Sequence, residues 1–123
     1  METNAGKRKV RDGSLTIRVS DDGSMCTLAL VGELDLANAA TLSAALEKAR
    51  SESGAHLTID LSELEFIDST GIAVLVATYR QLEGSDRLTF VRSKKSAVQR
   101  VMALTGLDAE LPFAADGDAN SGR

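Results

Sequence analysis

Leu15, Ile17 and Val19 alternate with Thr16 and Arg18, and this period of two predicts a half-buried strand. The stretch closes at Ser20-Asp21-Asp22-Gly23-Ser24, a turn composition, after which Cys26, Leu28 and Leu30 alternate with Thr27, Ala29 and Val31. The two strands are expected to form a hairpin. From Leu36 to about Arg50 the period changes, with Leu42 and Leu46 four apart and Ala49 beyond, which predicts a helix stopped by Ser51-Glu52-Ser53-Gly54. Leu57, Ile59 and Leu61 return to alternation. Ile72, Leu75, Val76, Tyr79 and Leu82 then share one helical face, so a second helix should run from Asp68-Ser69 to Gly84 with that stripe inward. A strand over Leu88 to Val91, a helix from about Lys94 to Thr105 and the apolar run Leu111-Pro112-Phe113, a possible last strand, complete the chain. The order β-β-α-β-α-β-α predicts an α/β fold, a mixed sheet with amphipathic helices packed against it.

The length of 123 residues fits one domain with one core. Residues 1–12 lack apolar periodicity and read as a flexible basic arm, 13–113 as the folded domain, and 114–123, rich in Gly, Asp, Asn and Ser, as a flexible tail. No apolar run reaches the ~20 residues of a membrane-spanning helix, and no apolar stretch follows the basic residues near Met1, so no secretory signal is read and a cytoplasmic location is expected. A single cysteine, Cys26, agrees with a reducing compartment and reads as a small buried strand residue. Net charge is −4, and the one basic cluster, Lys7, Arg8, Lys9 and Arg11, is short. Direct nucleic-acid binding is therefore not expected, and the cluster reads as a solvated tail.

The segment with most chemistry is Glu65-Phe66-Ile67-Asp68-Ser69-Thr70-Gly71, where a strand meets a helix. Asp, Ser and Thr all cap helices by accepting hydrogen bonds from first-turn N–H groups, so a well-capped helix is one complete reading. The other is a modification site. The helix dipole and free N–H groups tolerate a phosphate there, while roughly −1.5 to −2 added charges beside Asp68 would repel a docked partner. Thr70, Val74, Ala77 and Gln81 are expected on the outer face of the second helix, with Ala73 at its border. Enzymatic chemistry finds no support: the only histidine, His56, starts a strand that reaches the same sheet edge only several residues later, and no metal-ligand spacing or phosphate loop is present.

Asp68-Ser69-Thr70-Gly71, taken with Gly32-Glu33-Leu34-Asp35, Ile59-Asp60-Leu61 and Leu104-Thr105-Gly106-Leu107, resembles the STAS domain family, and within it the bacterial anti-sigma-factor antagonists. The resemblance covers about Leu15 to Phe113. It implies a non-enzymatic module whose unphosphorylated form binds an anti-sigma factor with serine kinase activity and so frees a sigma factor. Phosphorylation of the serine matching Ser69 would switch binding off, and a metal-dependent serine phosphatase would reset it. ATP and metal belong to those partners, so no cofactor is implied for this chain. Asp35 and Asp68 match acidic positions near that serine, Thr70 and Gly71 complete the switch loop, and Ala73, Val74, Ala77 and Gln81 would form the partner-binding surface. Asp60 is read as structural. The competing expectation keeps the fold but makes the chain a non-phosphorylated scaffold or a subunit of a transport or stress-signalling assembly, with Ser69 only a cap.

Overall fold

The computed structural model describes residues 6–52 and 54–115. Its elements in chain order are β1 (Lys7–Asp12), β2 (Leu15–Asp21), β3 (Met25–Leu34), α1 (Ala39–Glu52), β4 (His56–Ile67), α2 (Ser69–Gln81), β5 (Leu88–Val91), α3 (Ser96–Thr105) and α4 (Leu107–Glu110). The strands form one sheet in the order β1-β2-β3-β4-β5. The first three are antiparallel neighbours, whereas β4 pairs with both β3 and β5 in parallel. The mixed α/β sheet expected from the sequence is present.

Alternation in β2 and β3 becomes burial directly: Leu15, Ile17, Val19, Cys26, Leu28 and Leu30 are each at most 3% exposed. The turn between them is built on Asp22, whose Oδ1 accepts from the N–H groups of Ser24 and Met25 at 2.9 and 2.8 Å. Cys26 is a buried strand residue as expected, and desolvation pushes its thiol pKa up. Leu42, Ala45, Leu46 and Ala49 of α1 join the same core with Ile59 and Leu61 of β4 and Phe90 of β5. Burial of the Leu, Ile and Phe side chains among them contributes about 1.5–3 kcal/mol each.

Four differences from the sequence reading have physical causes. Lys7–Asp12 is a strand rather than part of a loose arm, so the sheet begins at Lys7 and not at Gly13. Only Val10 of β1 is an apolar, half-buried residue, so backbone pairing with β2 holds this strand rather than an apolar face. The rest of the arm expectation, on residues 1–5, and all but Ala114 and Ala115 of the expected tail, lie outside the described residues. Helix α1 starts at Ala39 rather than Leu36, because Asp35 to Asn38 form its entry turn. The Leu111-Pro112-Phe113 run makes one parallel bridge, Phe90 to Phe113, instead of a strand.

The fourth difference positions the candidate site. Strand β4 runs beyond the alternating Leu57, Ile59 and Leu61 to Ile67, and in that far half the alternation is lost. Between Ala29/Asp60 and Val31/Glu63, and again between Gly32/Leu64 and Glu33/Phe66, β4 carries an extra residue against β3. Such bulges break the period of two, and buried positions fall three apart at Leu61, Leu64 and Ile67. Gly32 sits at the second irregularity with φ of +101°, and a Cβ there would lie 2.1 Å from the Ser14 carbonyl oxygen. No other residue fits that backbone. The consequence is that Leu34 and Ile67 end up paired, and the segments following them emerge side by side.

Candidate functional site

Asp68 is the first residue past β4 and the N-cap of α2. Its Oδ1 accepts from the N–H groups of Thr70 and Gly71, both at 3.0 Å, and from the Thr70 hydroxyl at 2.6 Å. Its Oδ2 accepts from the N–H of Leu36 at 3.0 Å, and its own N–H donates to the Leu34 carbonyl at 3.2 Å. One carboxylate therefore caps the helix and clamps the loop that leads into α1. The Thr70 hydroxyl, then the N–H groups of Gly71, Leu36 and Thr70, outweigh desolvation and hold the Asp68 pKa below the ordinary carboxylate value.

Ser69, the first residue of α2, is exposed, and the capping bonds pass it by. This removes the reading in which Ser69 is merely the cap, since Asp68 fills that role. Asp35 shapes the neighbouring loop: its Oδ1 accepts from the Ala37 N–H at 3.0 Å and its carbonyl from the N–H groups of Asn38 and Ala39. Asn38, which the sequence reading passed over, is only 2% exposed. Its Oδ1 accepts from the Asp35 N–H at 2.9 Å and its Nδ2 donates to the Glu33 carbonyl at 3.0 Å. An Asn just before a helix is a capping signal, and that signal was available. Leu36, also unmarked by the sequence, is 75% exposed beside the clamp.

Gly71 has a packing reason. A Cβ on it would stand 2.6 Å from Leu34 Cγ, 2.9 Å from Leu34 Cδ2 and 3.0 Å from Ile67 Cγ1. The close approach is to the sheet. Gly71, Leu75, Thr78 and Leu82 form the buried side of α2, while Ile72, Val76 and Tyr79 are only half-buried. The helix is thus rotated from the expected Ile72/Leu75/Val76/Tyr79 stripe. Val74, expected outside, is half-buried against the core, and Ala73, expected at the border, is exposed. The face carrying Ser69 continues through Ala73 and Arg80 at helical spacing, with exposed Ala77 alongside. Gln81 is exposed but stands about 18 Å along the axis from Ser69. Asp60 takes the structural part expected of it, accepting from the Ser62 N–H at 2.9 Å.

The structure thus brings Asp35, Asp68, Ser69, Thr70 and Gly71 together, extends them by Ala73 and Ala77, and leaves Val74 and Gln81 aside. His56 opens β4 and bonds through Nε2 to the Thr89 hydroxyl at 2.7 Å, roughly 35 Å of strand from Ser69. A groove lined by Asp60, Ser62, Arg92, Lys94, Met102 and Phe113 holds none of Asp35, Asp68, Ser69, Thr70 and Gly71. Ser69 stands on an open surface, a shape suited to a docking protein more than to an enclosed small substrate. No cluster of His, Cys, Asp and Glu able to hold a metal occurs among the described residues, and no described helix is long and apolar enough to cross a membrane.

A parallel-and-antiparallel sheet whose β4–α2 junction carries an exposed serine after an acidic cap defines a small mixed-sheet α/β domain. The chain belongs to the STAS domain family: the family model described as "Mlab, STAS domain" matches residues 17–112. It is 35% identical over 95 residues to the anti-sigma-F factor antagonist RsfB of Mycobacterium tuberculosis, covering 77% of each chain. The crystal structure of an anti-sigma factor antagonist from Mycobacterium paratuberculosis superposes with a TM-score of 0.76 at 33% identity, covering 86% of this chain and 90% of that one. SpoIIAA in its unphosphorylated form shares the fold, with a TM-score of 0.67 at 21% identity over 84% of this chain and 91% of that one.

Proposed function

We propose that this chain is an anti-sigma-factor antagonist, a binding protein rather than an enzyme, and that phosphorylation of Ser69 switches it off. The observation that carries the reading is exposed Ser69 at the first position of a helix whose Thr70 and Gly71 N–H groups are already held by the Asp68 carboxylate. A phosphate placed there finds Thr70 and Gly71 N–H engaged, so its charge projects outward beside the Asp68 carboxylate. The fold loses nothing, and a docking surface gains a repulsive dianion. The names of RsfB and of the mycobacterial antagonist structure agree with this reading. The partner is an anti-sigma factor with serine kinase activity, which brings its own ATP, and a serine phosphatase restores the free hydroxyl. Ala73 and Ala77 provide smooth contact area beside Ser69, and Asp35 and Thr70 keep the loops in place.

The test uses wild-type, Ser69→Ala, Ser69→Glu and Ser69-phosphorylated protein as baits for partners from the native cell, followed by titration of the kinase recovered. Wild type and Ser69→Ala should bind it alike. The Glu and phosphorylated forms should bind about tenfold or more weakly while melting within a degree or two of wild type, since the lost interaction is intermolecular. Ala73→Lys should also weaken the complex without unfolding the domain. Equal affinity across the series, or capture of a transport assembly by every bait, would leave the scaffold reading standing instead.

A further inference from the structure

The basic cluster has no part in the reading above, and its placement in the sheet gives it one. Cross-strand register puts Lys7 opposite Ser20, Lys9 opposite Arg18 and Arg11 opposite Thr16. Partners in a ladder share a face, so Lys7, Lys9, Arg11 and Arg18 stand together on the side away from buried Leu15, Ile17 and Val19. All of these cations are exposed, and none has an ion-pair partner among the described residues. Lys7, Lys9, Arg18 and Ser20 of this face border a shallow groove along the two strands. On a chain of net charge −4, this is a local excess of the opposite sign.

Stability does not account for it. Lys9 and Arg18 are direct neighbours of like charge, an arrangement that opposes pairing. Lysines on an edge strand do discourage edge-to-edge aggregation, which covers Lys7 and Lys9. It does not cover Arg18, because β2 is flanked on both sides by β1 and β3.

We propose that the β1–β2 hairpin receives an acidic, extended polypeptide segment that adds as a further strand to the free edge of β1. Among the described residues the sheet ends at β1, so one side of that strand presents N–H and C=O groups with no strand partner there. A polypeptide can answer both kinds of group at the repeat of the strand, while a phosphodiester offers only acceptors and a lipid headgroup has no backbone of alternating donors and acceptors. Acidic residues at every second position of the added strand would fall on the face of Lys7, Lys9 and Arg11, with Arg18 one strand further in. An apolar residue between them would meet half-buried Val10. A second copy of the chain is a poor occupant, because β1 against β1 sets cations against cations. Nucleic acid fits poorly as well: neither β1 nor β2 carries an aromatic side chain for stacking, and the acidic residues outnumber the basic over the whole chain.

The test is fluorescence anisotropy of the full chain with a blocked peptide of alternating Glu and Val, run beside duplex DNA, phosphatidylserine vesicles and the matching Lys-Val peptide. The Glu-Val peptide should bind at low salt, slow hydrogen exchange of β1 amides, and bind Ser69→Glu as well as wild type. The double variant Lys9→Gln/Arg18→Gln should lose about tenfold in peptide affinity while melting at or above the wild-type temperature, because it removes a like-charge pair. Circular dichroism confirms its fold, and Arg11→Gln, which leaves that pair intact, should weaken the peptide in the same direction. No peptide binding, binding unchanged in the double variant, binding without slowed β1 exchange, or preference for DNA, vesicles or the Lys-Val peptide would each overturn the proposal.

Discussion

Helices α2 and α3 both begin just beyond a parallel strand, yet their first turns are made of opposite chemistry. Helix α2 follows β4 through the single residue Asp68, whose carboxylate engages the first-turn N–H groups. Helix α3 follows β5 through Arg92-Ser93-Lys94-Lys95, its N-cap is Lys95, and no side chain caps it. Each has an exposed serine at its first position, Ser69 and Ser96. The third position is Gly71 pressed on Leu34 in α2, and fully buried Val98 in α3. Equivalent places in the topology thus hold a helix end capped by a carboxylate in one case and a cation-flanked end with no side-chain cap in the other. A negative group arriving at α2 meets a neighbour of its own sign; at α3 it would meet its complement. The surface that suits a repulsive switch is the one where the helix end has already been satisfied.

The third positions offer the largest effects. Gly71→Ala should destabilise by about 1–3 kcal/mol, since the new methyl meets the side chain of Leu34, which is fully buried and has nowhere to move. Val98→Ala should cost about 2 kcal/mol for the opposite reason, a cavity where methyl groups had been. Urea unfolding midpoints at constant slope measure both. A neutral Gly71→Ala would mean that α2 can lift from the sheet, and the close fit that positions Ser69 would lose its basis.

Next in size is Asp68→Asn, which keeps a capping oxygen but loses the charge that holds both Leu36 and the first turn of α2. The pH dependence is the sharper readout. The folded-state pKa of Asp68 lies below the unfolded value, with the Thr70 hydroxyl as the largest cause. Its stabilisation is therefore complete above the unfolded carboxylate pKa, about 3.9, and disappears as pH falls through the lower folded value. The stability gap between wild type and Asp68→Asn should be flat from neutral pH down to about 5 and close below about 4. The corresponding change at α3, Lys95→Gln, should show no acid-dependent gap, because no carboxylate caps that helix.

How much of this could be read from the chain depended on whether side chains or backbone made the structure. Strands β2 and β3 were legible because their apolar residues mark the pleat, and the α2 start was legible because Asp68 and Ser69 are capping types. Strand β1 was not, as its residues are held through the backbone of β2 and carry almost no apolar signal. The face pattern of the far half of β4 was not legible, because bulges put Leu61, Leu64 and Ile67 three apart. The rotation of α2 was missed because its buried side includes Gly71 and Thr78, which a hydrophobic projection does not count. Thr78 can be buried since its hydroxyl donates to the Val74 carbonyl at 3.0 Å. The switch-loop residues were each marked in sequence, but the bond from Leu36 to Asp68 spans 32 positions, and no local pattern announces it.

The smallest expected effect is the most direct test of the contrast between the two helix ends. A glutamate at the first position of a helix gains from the dipole, about 0.3–1 kcal/mol where nothing else occupies the end. Ser96→Glu meets that condition and adds the nearby ammonium groups of Lys94 and Lys95, so it should raise the stability of the domain by that amount. At Ser69 the same substitution places a second carboxylate beside Asp68, whose Oδ1 already holds the N–H groups of Thr70 and Gly71, so gain and repulsion should cancel. Adding salt should shrink the Ser96→Glu gain and leave Ser69→Glu near zero. If Ser69→Glu stabilised as strongly as Ser96→Glu, the α2 end would still have room for an anion. A phosphate there would then fold inward onto the helix instead of projecting toward a partner, and the repulsive switch would have to be given up even with the fold and family unchanged.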